Sequence, residues 1–186
     1  MTAFVLWENH SDGPVDRFGP HVFLVACVAD RLQVDRFELH RLENIRSRSC
    51  NGNGGVFREL GRSHSWNTAP HLIAVLDSDN LHERLGGDAR KLVAEPASDA
   101  WAAQMEARCR ERIGAHEADR LAICFLDRNL ETLLQALGDT SARKNVVQRD
   151  KLLQRAAADP ALIHRASEAM PTWGSLVEVV AHRVRR

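Results

Sequence analysis

Apolar positions in this chain fall into short uninterrupted runs separated by stretches with a helical period. Ala3-Phe-Val-Leu-Trp7, His71-Leu-Ile-Ala-Val-Leu76 and Leu121-Ala-Ile-Cys-Phe-Leu126 have the length and residue types of strands buried on both faces. Phe37-Glu-Leu-His-Arg-Leu42 alternates in part, as a half-exposed strand does. Between these runs the spacing changes. Val22 to Leu32 is apolar and Ala-rich enough for a helix, Val56 to Leu60 begins a short one, and another starts near Leu81. Trp101, Met105, Cys109 and Ile113 recur every four residues within a helix predicted over 97–113. Leu130, Leu133, Leu134 and Leu137 share one helical face, which Gly138 closes as a C-cap. The remainder is helical, broken near Pro160 and Pro171, with Trp173 anchoring a last apolar helix face on the body.

Strands alternating with helices predict an α/β fold: a mainly parallel sheet of about four strands, with helices on both faces. Residues 1–138 form the α/β domain, and 139–186 form a helical extension packed on it. At 186 residues the chain is long enough for one substantial core.

Composition changes this picture little. Hydrophobic residues make up 44% and charged residues 27%, and Lys+Arg equals Asp+Glu at 25 each, so no global field draws the chain to nucleic acid or membrane. Locally the balance tilts: from Asp139 to Arg186 there are nine Lys/Arg against five Asp/Glu. Cys27, Cys50, Cys109 and Cys124 lack zinc-ligand or disulfide spacing, and Cys27 and Cys124 sit in apolar runs as small core residues. With no signal peptide or spanning stretch, the expected compartment is the cytoplasm.

The chemistry gathers where the apolar runs stop. The first ends at Glu8, the second at Asp77-Ser78-Asp79-Asn80, and the third at Asp127 with Glu131 one helical turn on. In an open α/β sheet, ligands bind beyond the carboxyl ends of parallel strands. If these strands are neighbours, their acids meet on one rim, and a divalent cation relieves the crowded charge. A strict strand period places Asp77 and Asp79 on the same face, beside one ion. A structural alternative stands beside this one: Asp-Ser-Asp-Asn is also good turn and N-cap chemistry for the helix near Leu81.

A Glu ending one strand and an Asp-x-Asp ending a later one resembles the TOPRIM fold, found in topoisomerases, bacterial primases, recombination and small-RNA-maturation proteins, and overcoming-lysogenization-defect nucleases. Small stand-alone bacterial members are the nearest likeness, on Asn51-Gly-Asn-Gly-Gly55 ahead of the second helix and Phe125-Leu-Asp-Arg-Asn-Leu-Glu131. The resemblance spans roughly residues 3–137. It departs from the pattern at Asn9, where a Gly commonly follows the first Glu, and in a longer Glu8-to-Asp77 interval than the smallest members have.

The resemblance implies Glu8 as general acid/base, Asp77 and Asp79 holding Mg²⁺ (or Mn²⁺) with Glu8 beside them, and Glu131 as an additional catalytic acid of the nuclease-like branch. It implies metal-assisted phosphodiester cleavage or transfer on DNA or RNA, with a partner ATPase in phage-defence or mobile-element settings. The chain has no tyrosine, so it cannot supply the covalent nucleophile of topoisomerase-type strand passage. Hydrolysis remains, or a non-catalytic binding and assembly role.

Other features carry less. Ser49 to Gly55 lacks the Gly-Lys-Ser/Thr of a phosphate loop, and reads as a flexible connector, with a backbone anion nest as the alternative. Arg46, Arg48, Arg58, Arg62 and His64 surround it, with Trp66 following; Arg58, Arg62 and Lys144 are the expected nucleic-acid contacts, against the plainer reading of Arg58 and Arg62 as a solvated helix pair. Among nine histidines only His10 lies near the expected rim, and a solvated loop position explains it. There is no G-x-S-x-G elbow.

Overall fold

The computed structural model of the chain describes residues 3–7, 19–41, 45–50, 52–62, 71–79, 81, 85, 99–114, 120–127, 130–138 and 146–185. Four strands, β1 (Ala3–Trp7), β2 (Ile45–Ser49), β3 (His71–Asp77) and β4 (Leu121–Leu126), form one sheet in the order β2-β1-β3-β4. Every pairing is parallel: Trp7 lies opposite Ser49 and Val75, and Asp77 opposite Leu126. The fold is α/β.

The described helices are α1 (Pro20–Leu32), α2 (Arg36–Arg41), α3 (Asn53–Gly61), α4 (Asp99–Ile113), α5 (Leu130–Ala136), α6 (Val146–Ala157), α7 (Pro160–Ala169) and α8 (Pro171–Arg185). Parallel crossovers are right-handed, so reversing the direction of travel across the sheet reverses the face on which the connecting helix lands. The path from β1 to β2 runs one way, and those from β2 to β3 and from β3 to β4 run the other. Accordingly α1 packs on one face, and α3 and α4 on the opposite one.

Strand alternation divides the core between these faces. Ala3, Val5, Trp7, Ile73, Val75 and Leu126 meet α1 and α5–α8. Leu6, Leu72, Ala74, Leu76, Leu121, Ile123 and Phe125 meet α3 and α4, with Leu81 buried among them. On the first face Trp173 of α8 is fully buried, stacked on Phe23 at 5.6 Å between ring centroids and 6.2 Å from Trp7. On the second, Trp101 meets Phe125 edge-on at 5.3 Å. Pro160 and Pro171 begin α7 and α8, where a missing N–H costs no hydrogen bond, and Asp159 caps α7 by accepting from the Ala161 N–H at 2.9 Å. Gly138, at φ 95°, ends the turn after α5 in the left-handed region.

Two expectations are corrected. The strand predicted over Phe37–Leu42 is absent; residues 36–41 are helical, and the Asp35 carboxylate accepts from the Phe37 N–H at 2.6 Å. Phe37 is 67% exposed, which is why its apolar character misled. The second strand is instead Ile45-Arg-Ser-Arg-Ser49, an edge strand whose arginines alternate outward. The glycine segment is likewise ordered at its end. Gly52 (φ 87°) caps α3, and a Cβ on Gly55 would stand 1.4 Å from the Cys50 carbonyl oxygen. The turn from β2 into α3 therefore closes only with glycine at position 55.

Candidate metal centre

Strand order reverses between β1 and β3: β1 connects outward to β2, and β3 onward to β4. That reversal is where an open parallel sheet leaves a crevice at its carboxyl ends. The backbone ladder reaches this rim on both sides. The Cys50 N–H donates to Trp7 O at 2.9 Å, and the Ser78 N–H donates to Leu126 O at 3.1 Å. Asp77 stands two residues beyond the partner of Trp7, so β3 overhangs the end of β1.

Four polar or charged residues are buried among those described, and three of them sit here: Asp77 at 5% exposure, Ser78 at 7% and Asn53 at 4%. The fourth, Glu59, lies along α3. Burying a carboxylate is costly unless it is paired, hydrogen-bonded or bound to a cation, so Asp77 is the chemically loaded residue of the rim. Asn53, in the first turn of α3, donates from Nδ2 to the Asp77 carbonyl oxygen at 3.3 Å. This bond ties the end of β3 to the start of a helix that follows β2, across the position of β1. No sequence signal marked Asn53 as more than part of a glycine-rich turn.

The other acids are arranged differently. β3 ends at Asp77 and the chain turns at Ser78 and Asp79, so the strand period does not carry to Asp79, which is exposed. Asp127 and Glu131 are half-buried, and the Asp127 N–H donates to Thr172 Oγ at the start of α8 at 2.9 Å. Glu131 lies in the first turn of α5, where its charge favours the helix N-terminus. Among the described residues no three His, Cys, Asp or Glu side chains gather closely enough to hold an ion. Glu8 and Lys144 lie outside the described residues, as do His10, His64, Trp66 and Asn80.

The basic residues gather on the α3 face. Arg46 and Arg48 pair in register with Phe4 and Leu6, so they share the side on which α3 lies. Glu59 receives Arg48 at 2.8 Å on one carboxylate oxygen and Arg62 at 2.7 Å on the other. One buried carboxylate thus fixes two half-exposed guanidinium groups, whose remaining N–H donors are left for other partners. Arg58 is exposed one turn before Arg62, and Arg112 of α4 lies over the Phe57 ring at 5.3 Å. Arg58 and Arg62 are therefore neighbours but not equivalents.

Three of the four cysteines are poor nucleophiles. Burial pushes the thiols of Cys27, Cys109 and Cys124 up to about 12, leaving them neutral and unreactive near pH 7. Among the described residues no helix is long and apolar enough to cross a membrane. The sequence matches no known family model and no curated protein.

Proposed function

We propose that the carboxyl rim binds a hydrated magnesium ion at Asp77 and Asp79, with Glu8, and acts on phosphodiester bonds of DNA or RNA as a TOPRIM-like nuclease. The observation that carries this reading is the burial of Asp77 at the reversal of strand order, beside the buried polar side chains of Asn53 and Ser78. A polar cluster at that place has a physical reason to exist if it faces a ligand, and the chemistry of its donors is hard oxygen, which suits magnesium. When bound, the ion would neutralise charge on phosphate oxygens and acidify water.

The residues of the chain have separate tasks in this reading. Asp77 and Asp79 hold the cation, Glu8 moves the proton, and Glu131 is the additional acid at the β4 side of the rim. Arg58 and Arg62, with Lys144, take phosphates flanking the reacting one; the Glu59 bracket keeps Arg62 in place for this. The cytoplasm and a partner ATPase in a phage-defence or mobile-element setting complete the proposal.

The test is incubation with plasmid and single-stranded DNA and RNA in Mg²⁺ or Mn²⁺, comparing wild type with Asp77→Asn and Glu8→Ala. Cleavage by wild type alone supports the reading. Equal cleavage by all three proteins identifies a contaminant. Absence of cleavage with retained nucleic-acid binding supports a non-catalytic binding and assembly subunit instead.

A further inference from the structure

Asn53 sits at a place where helix chemistry alone gives no reason for an asparagine. Gly52 caps α3 without any side-chain hydrogen bond, and Asn53 follows it as the first helical residue. Asparagine stabilises helices from the cap position, by accepting from backbone N–H groups one turn ahead. Inside the helix it is a poor helix former compared with alanine. The side chain instead leaves its own helix and reaches the end of β3, 24 positions along the chain.

Its orientation is set by its neighbour. The Asp77 carbonyl oxygen can only accept, so the amide must turn its NH₂ toward that oxygen and its Oδ1 away. Rotating the amide by half a turn would set two acceptors against each other. The Oδ1 left by this arrangement is buried and has no hydrogen-bond partner among the described residues. A buried amide oxygen without a donor costs free energy, and such groups call for a bound water, ion or ligand. The amide is held at the Asp77 carbonyl, at the carboxyl rim where Asp77 and Ser78 are buried as well.

We infer that Asn53 Oδ1 is a neutral oxygen of the cation site, accepting a hydrogen bond from a water in the shell of an ion held at Asp77. The inference rests on the cation reading of the rim given above. Contact through water, rather than direct ligation, follows from two arguments. Magnesium dehydrates reluctantly and keeps several waters. The N-terminus of α3 carries a partial positive charge, which opposes a bare cation at this position but not a water donating to Oδ1.

The structural alternative is that Asn53 only clamps α3 to β3 through Nδ2. Asn53→Ala removes both functions of the amide, whereas Asn53→Asp keeps an oxygen acceptor and removes the Nδ2 donor. Mn²⁺ binding to the full chain, measured by titration calorimetry and by the loss of free Mn²⁺ signal in electron paramagnetic resonance, separates them. Circular dichroism melting without metal reports the clamp. Gly54→Ala is the fold control, since a Cβ there meets nothing within 4 Å among the described residues.

Both Asn53 variants should melt lower than wild type in the absence of metal. Asn53→Ala should weaken Mn²⁺ binding about tenfold, the scale of losing an outer-shell partner. Asn53→Asp should bind Mn²⁺ at least as tightly as wild type, and Gly54→Ala should bind it unchanged. If Asn53→Ala binds Mn²⁺ like wild type, or if Ala and Asp weaken binding equally, the assignment of Oδ1 is overturned while the cation reading stands. If wild type itself takes up no Mn²⁺, both are overturned.

Discussion

The two faces of the sheet are built from the same strands but carry different things. One is covered by α1 and α5–α8, with a core of Phe23, Trp173, leucines, valines and alanines. The other is covered, among the described residues, by α3 and α4 with Leu81 and Leu85, and it also carries Arg48, Arg62, the buried Glu59 and the first-turn Asn53. The first face is specified mainly by apolar packing, with the Arg31–Glu178 ion pair and the Asp127–Thr172 hydrogen bond at its margin. The second mixes a smaller apolar core with polar groups fixed by one another.

The strongest way to break this comparison is to remove the last three helices. Ending the chain at Gly138 strips α6, α7 and α8 from the larger core and leaves Phe23, Val28, Ile73 and Val75 without much of their cover. The truncated chain is expected to lose cooperative unfolding entirely, as followed by circular dichroism in urea. A cooperative transition with an undiminished midpoint would show that the smaller face stabilises the sheet by itself. Trp173→Ala is the next step down. The ring is fully buried between Phe23 and Trp7, so its loss should cost about 4 kcal/mol in urea denaturation. Trp101→Ala on the opposite face, where the ring retains slight exposure, should cost less. Equal costs would remove the distinction between the faces.

The same comparison explains what the chain's pattern disclosed. β1, β3 and β4 are central or well-covered strands, so their apolar runs stand out, and their alternation over two faces follows from the pleat. β2 is an edge strand with solvent on its outer side, so Ile45-Arg-Ser-Arg-Ser49 needs no apolar run and was displaced in prediction by the more hydrophobic Phe37–Leu42. Helix 36–41 exposes Phe37 and buries Leu39, which a hydropathy pattern cannot distinguish from a strand's alternation. At the rim, Asp77 was legible because a strand stops there. Asn53 was not, because its importance lies in one contact with a residue 24 positions away and in an oxygen that finds no partner.

A smaller effect tests whether the polar groups of the second face are themselves structural. Glu59→Ala leaves Arg48 and Arg62 without the carboxylate that each contacts on a separate oxygen. Charged hydrogen bonds of this kind are worth about 2 kcal/mol, and the half-exposed arginines regain water, so the expected loss is about 1–2 kcal/mol. A double-mutant cycle with Arg62→Ala should return a coupling energy above zero. If the cycle gives none, the bracket is a surface coincidence, and the arginines of this face are no better ordered than ordinary solvated ones.

The smallest effect asks whether the two faces are equally dry. Cys27 lies in the larger core and Cys109 in the smaller, yet burial raises both thiols from the ordinary 9.0 to about 12. In the unfolded chain each ionises near pH 9, while in the folded chain each stays protonated. The unfolded state therefore binds fewer protons above pH 9, and stability falls as pH rises, a loss that ends near pH 12. At pH 10 each cysteine should cost about 1 kcal/mol relative to pH 8, read from urea midpoints. Cys27→Ala and Cys109→Ala should each remove their own share of that pH dependence, and by similar amounts. If only Cys27→Ala does so, water reaches Cys109, and the smaller face differs from the larger in hydration as well as in composition. Similar shares would instead place the difference entirely in the polar groups at the margin of the second face, around Glu59 and Asn53, with its apolar centre as well sealed as the other.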